Sequence, residues 1–398
     1  MPFSIATVTE AFITPKVAQW ARERAGISPA QLANSLGADP KEVEAWERGE
    51  TRPPFRKAQD LARSLRIPFG FLFLSEPPVQ ETPIPDLRTV VEGRPAKVSP
   101  DFLDLLNDVL VKHQWYREYL EAHDAKRLPF VGKFRIADGV DRVAADMTTV
   151  LSVEQIRRTS HTWDEFLREL TRGAESIGIL VMRSGIVGGN TRRKLSVNEF
   201  RGFVISDGLA PLVFLNGRDS KAAQIFTLVH EIVHIWIDRS GISNPDPKGV
   251  PAEVTNNVER FCNSVAAEFL VPHGDFLKSI PATFTEQTAH TLAAKYRVST
   301  IVILRRAFEL NAISRNQFFT MLEKEQQKQK EREEREAEEP SEGGGNFYLT
   351  LPIRNSRRLT ETVLGALQSE GVSYREAARL LGVKTGTLPK LIEGLPRR

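Results

Sequence analysis

Along the first part of the chain, apolar positions recur three or four residues apart in short segments separated by glycine or proline. Lys16–Gly26, Ser28–Gly37, Asp39–Gly49 and Arg56–Arg66 each read as one such helix. Ser28 and Asp39 stand where an N-cap is needed, Pro29 and Pro40 follow in the first turn, and glycines mark the ends. Apolar residues at 32, 36, 43, 46, 62 and 65 then meet inside a compact helical bundle. Phe69–Leu74 adds an apolar, aromatic docking patch before a proline-stiffened stretch. From Asp101 to about Ala122 a longer pattern carries Leu103, Leu105, Leu106, Val109, Leu110, Trp115 and Leu120, which suits packing or dimerisation. His113 and His123 on it read as packing or surface residues. Two further helices fall between 141 and 177. The period then changes: Gly178–Met182, Gly202–Ser206 and Ala210–Asn216 are β-branched runs between turn residues, the strands of a small twisted sheet. Gly185 to Lys194 between them reads as a mobile basic loop.

Phe226–Trp236 departs from amphipathic patterning. Apolar residues fill almost every position except His230, Glu231 and His234, so the segment reads as a buried helix carrying three polar groups. Residues four apart share a face, so both histidines can point at one ion. Glu231, displaced around the helix, can reach a water on that ion without ligating it. This H-E-x-x-H arrangement suits zinc hydrolysis. Without a metal, burying two imidazoles and a carboxylate is costly. A core helix with two hydrogen-bonded histidines is the plainer alternative.

A third ligand should lie downstream, where Asn256–Pro272 reads as a second amphipathic helix. Glu259 and Asn263 are four apart on one face, which suits a carboxylate on the metal and an amide orienting a histidine. Glu268 falls on the opposite side of that helix, and His273 follows a proline in an expected loop. The reading chooses Glu259. Taken together, F-T-L-V-H-E-I-V-H followed by E-R-F-C-N-S-V-A-A-E-F-L-V-P resembles the ImmA/IrrE family of bacterial metallopeptidases over roughly residues 160 to 320. The resemblance implies a zinc-dependent endopeptidase with one Zn2+ per chain held by His230, His234 and Glu259, and Glu231 as base. The basic residue often found just before F-T in that family is absent from Ala222-Ala-Gln-Ile225. Its loss bears on a substrate contact rather than on the metal.

The N-terminal string W-E-R-G-E-x-R-P and the A-x-x-L pattern resemble the XRE (Cro/CI-like) DNA-binding domain, in which the helix at 39 to 48 enters the major groove. Gln31, Lys41, Glu42, Arg48 and Arg52 are the candidate DNA contacts. That helix is nevertheless acidic, and residues 16 to 66 hold ten basic against seven acidic side chains, a weak electrostatic footprint. A bundle used for dimerisation or partner docking is the alternative. Glu323 to Glu339 is almost wholly charged or glutamine, a solvated helix or disordered spacer. Beyond it, Tyr374–Leu391 has the cadence of a second helix-turn-helix, with Pro389 inside its second helix counting against that reading.

At 398 residues with 41% hydrophobic content, the chain exceeds one typical domain. It has no run of some 18 apolar residues and no signal-like start, so a soluble cytoplasmic protein with no membrane partner is expected. The single cysteine, Cys262, fits a reducing compartment and reads as core packing. The expected fold class is α+β: a helix-turn-helix domain at 1–75, a linker at 76–100, and a mostly helical zincin-like metallopeptidase domain with a small sheet at 101–322. A charged spacer at 323–345 and a small helical domain at 346–398 complete it. The resemblances imply a DNA-binding regulator, on its own promoter and as a homodimer, whose peptidase domain cleaves a regulatory protein. The alternative, from a similar architecture, is an antitoxin that neutralises a PIN-like nuclease toxin and represses its own operon without proteolysis.

Overall fold

The computed structural model describes residues 9–78, 84–85, 98–243, 257–338 and 347–393. Most of the 76–100 linker lies outside them. The chain divides into two units, residues 1–83 with 97–104, and the remainder.

The first unit is built by its caps. Ser28 and Asp39 open Pro29–Leu36 and Pro40–Arg48 with reciprocal capping boxes, and Gly37 and Gly49 close those helices at positive φ. An L side chain reaches that conformation only with strain. With Pro15–Arg24 and Phe55–Leu65, they bring Leu32, Leu36, Val43, Trp46, Ala62 and Leu65 into one core. The apolar stretch after them forms a short helix, Phe69–Phe73. Its Leu72 is fully buried in that core, and the Leu72 carbonyl accepts from Thr14 N at 2.7 Å. Part of the expected docking patch is therefore internal packing.

In the second unit, β1 (Leu180–Ser184) is followed by the hairpin β2 (Ile186–Val187) and β3 (Asn190–Lys194). The segment expected as a mobile loop is thus paired, because Gly188 and Gly189 supply the two positive-φ residues of its turn. The strands β4 (Gly202–Ile205), β5 (Leu212–Asn216) and β6 (Gly241–Ser243) join β1 in the order β1-β5-β4-β6, with only β1 and β5 parallel. The helix Lys221–Trp236 packs on β4 and β5 and against the helices Trp163–Ser176 and Asn257–Leu270. Burial on all sides explains its uninterrupted apolar pattern. Cys262 is fully buried in the same core.

Pro100–Ala122 packs rather than standing free: Leu105, Leu106, Val109 and Tyr116 are buried, and His113 Nε2 lies 2.9 Å from the Ala210 carbonyl. His123 is exposed and stacked on Tyr119. Arg315–Glu338 is one helix that crosses residue 323, where the spacer was expected to begin. The C-terminal helices are seated on this unit. Buried Glu175 accepts from Ser356 Oγ at 2.5 Å and from Arg357 N at 2.8 Å, at the start of Arg357–Gln368. A carboxylate there meets unsatisfied N–H groups and the positive helix end.

Candidate metal centre

The helix Lys221–Trp236 presents His230, Glu231 and His234 at zero exposure, and Asn257–Leu270 crosses it with Glu259 facing the histidines. Glu259 Oε2 lies 3.2 Å from His230 Nε2, Glu259 Oε1 lies 3.1 Å from His234 Nε2, and the two Nε2 atoms are 3.2 Å apart. A tetrahedral ion with bonds of about 2.0–2.1 Å sets its ligand atoms about 3.3–3.4 Å apart, close to this triangle. Two facing imidazole nitrogens and a carboxylate have more lone pairs than protons to satisfy them. Glu259 Oε1 makes no aligned hydrogen bond despite its nearness to His234, and among the described residues His234 Nδ1 and Glu231 Oε2 have no partner either. Buried polar atoms are seldom left so. These donors fit a divalent cation with a preference for nitrogen and oxygen ligands.

Around the triangle the geometry is held by several groups. Asn263 Oδ1 lies 3.0 Å from His230 Nδ1, leaving Nε2 to face the cluster. Arg157 Nη2 donates to the Phe269 and Leu270 carbonyls at 2.7 and 2.8 Å, closing the end of the helix that carries Glu259. The two rivals for third ligand have other roles. Glu268 pairs with Arg306 and accepts from His273 N at 3.0 Å, capping a short helix, His273–Ser279, that replaces the expected loop. His273 itself is exposed.

The strand β6 was not legible beforehand. Ser243 Oγ donates to Glu231 Oε1, fixing one oxygen of the carboxylate, while the other has no partner among the described residues. At Gly202, opposite Ser243 in β4, sheet and helix approach closely. A Cβ there would stand 2.7 Å from Thr227 Cγ2 and 2.8 Å from Glu231 Oε1. Burial pushes the Glu231 carboxyl up to about 8, against the pull of His230 and the Ser243 hydrogen bond. For Glu259 burial acts in the same upward direction, but the neighbouring histidines outweigh it and hold the group down at about 2. The outer edge of β6 is engaged at Ile242, whose N–H donates to the Pro85 carbonyl at 2.8 Å.

This centre lies inside a region shared with known proteins. Residues 174–308 match the IrrE N-terminal-like domain, a peptidase family. The matched region contains the whole triangle and Glu231, and a cluster that could hold a metal agrees with a metallopeptidase. Residues 19–72 match a helix-turn-helix family, and residues 355–394 match a domain of unknown function. No curated protein matches the chain. No helix among the described residues is long and apolar enough to cross a membrane.

The candidate DNA contacts do not gather as the candidate metal ligands do. Gln31 Oε1 accepts from Ser28 N and Glu42 Oε2 from Asp39 N, so both act as capping groups. Arg48 pairs with Glu50 at 2.6 Å and reaches Glu44 at 3.5 Å, and the Arg52 guanidinium lies over the Phe12 ring at 3.9 Å. Lys41 is exposed on the first turn of its helix.

Proposed function

We propose that the chain is a DNA-binding regulator whose IrrE-like domain is a zinc-dependent endopeptidase acting on a partner regulatory protein. The observation that carries this reading is the Glu231 carboxylate, with one oxygen tied to Ser243 and the other without a partner among the described residues, beside the His230–His234–Glu259 triangle. A purely structural zinc site has no use for such a group.

His230, His234 and Glu259 would hold the ion, with Asn263 orienting His230. Zinc bound there would supply a Lewis acid and bring the pKa of a bound water to about 7. Glu231 takes the proton from the attacking water and returns it to the leaving amine nitrogen. Ser243 keeps the carboxylate aimed while the proton moves, and the apolar wall of the motif helix keeps bulk water out. The helix-turn-helix at 19–72 supplies the DNA-binding function.

The test is co-expression of wild type or Glu231→Gln with the product of the adjacent gene, scoring cleavage of that protein and cell growth together. Wild type should cleave it, while Glu231→Gln keeps zinc and leaves the partner intact. An intact partner and unchanged protection of growth in both versions would retire the peptidase reading in favour of stoichiometric neutralisation.

A further inference from the structure

The C-terminal helices repeat the local geometry of the N-terminal helix-turn-helix with different charge. Ser373 caps Tyr374–Leu381 by accepting from Glu376 N, as Ser28 caps Pro29–Leu36 by accepting from Gln31 N. Nine residues after each serine a glycine ends the helix in the left-handed region, Gly37 at φ 57°, ψ 46° and Gly382 at φ 63°, ψ 43°. The next N–H then bonds back in the same way, Ala38 to the Ala33 carbonyl at 3.0 Å and Val383 to the Ala378 carbonyl at 2.9 Å. Six and nine residues past the glycine, the following helix buries Val43 and Trp46 in one module and Leu388 and Leu391 in the other. Pro389 falls in the first turn of Leu388–Glu393, where its missing N–H has no helical partner to lose.

Laid over one another, the two modules differ on the exposed side. Ala30, Asn34, Asp39 and Ala45 correspond to Arg375, Arg379, Lys384 and Lys390. All four basic side chains are exposed, and none makes an ion pair or hydrogen bond with another described residue. In the N-terminal module the cations are largely engaged: Arg22 with Glu47, Arg48 with Glu50, Arg63 with Asp60, and Lys57 with the Leu36 and Gly37 carbonyls. A cation already neutralised by a carboxylate must give up that partner before it meets a phosphate; a solvated one need not.

We propose that residues 356–393 form a second helix-turn-helix whose Arg375, Arg379, Lys384 and Lys390 bind the phosphate backbone of double-stranded DNA. The shared geometry places the second helix as a groove-reading helix and the basic residues along its approach. Neutralising phosphates releases counterions, so these four contacts contribute a salt-dependent affinity. The proposal does not depend on the peptidase reading.

The experiment measures binding of the full chain to a random-sequence DNA duplex by fluorescence anisotropy, over salt concentrations from about 50 to about 200 mM. Wild type is compared with Arg375→Ala/Arg379→Ala/Lys384→Ala/Lys390→Ala and with Lys41→Ala/Arg56→Ala. The fourfold variant should lower the slope of log affinity against log salt by about 3 to 4, since each phosphate contact contributes about 0.9. At the upper end of that range its affinity should drop at least about tenfold; the N-terminal pair should lower the slope by no more than about 2. Lys384→Glu alone should act in the same direction, which keeps the test valid if the fourfold variant fails to fold. Unchanged slope and affinity in the folded fourfold variant would overturn the proposal. So would tighter binding of wild type to an RNA duplex than to DNA, lost in the same variant.

Discussion

The candidate metal centre and the N-terminal bundle both contain polar residues that sequence reasoning marked as functional, yet their surroundings are opposite. At the centre, His230, His234 and Glu259 converge in a buried site, and among the described residues some of their lone pairs have no hydrogen-bond partner. In the bundle, Gln31, Glu42 and Arg48 are exposed and occupied by caps and ion pairs of their own chain. A buried polar atom without a partner costs about 1–3 kcal/mol, so a fold keeps one only where something else meets it. An exposed polar atom with a partner carries no such signal. The difference separates residues positioned for a ligand from residues that also serve the fold.

Substitutions can break this contrast, and the largest effect is expected at Glu231. Glu231→Gln should lower the cleavage rate about 10²- to 10⁴-fold with zinc content and melting temperature preserved; a rate near wild type would remove the base assigned here. Next comes Glu259→Gln, which should purify with little zinc, while Glu268→Gln keeps a full complement. Equal zinc in both variants, measured by elemental analysis, would show that the triangle is not the ligand set. Asn263→Ala should weaken zinc affinity about 10- to 100-fold, because His230 loses the group that orients it. Competition with a chelator measures this directly.

Smaller effects belong to the bundle. Glu42→Ala removes half of a capping box and should lower stability by up to about 1 kcal/mol, read as a shift in thermal unfolding. Arg48→Ala breaks an exposed, solvent-screened ion pair and should leave thermal unfolding nearly unchanged. If either substitution abolished DNA binding while sparing stability, the bundle would resemble the metal centre after all.

The legible parts of the molecule share a cause. Ser28, Asp39, Gly37 and Gly49 determine their own turns through bonds to neighbours a few residues away, so the helices of the bundle could be placed closely. The pairing of His230 with His234 follows from helical spacing alone. The hairpin at 186–194 was missed because β2 is only two residues long and β3 is mostly exposed and polar or basic rather than alternating, so the pairing across Gly188 and Gly189 leaves little pattern in the sequence. Ser243 was missed because three residues of β6 carry too little pattern to announce a strand.

Local chemistry in the sequence therefore determined which helices form, where they stop, and which face of the motif helix bears two imidazoles. Only the tertiary structure decided what those imidazoles face. Glu259 and Glu268 are chemically the same and lie nine residues apart on one helix. The crossing of that helix over the motif helix sends Glu259 to the histidines, and the packing beyond it gives Glu268 to Arg306. Likewise, Ser243 is brought to Glu231 by pairing of β6 with β4, and the missing side chain at Gly202 allows that approach. Contacts between residues distant in sequence depend on how elements pack, and no periodicity within a single element encodes that.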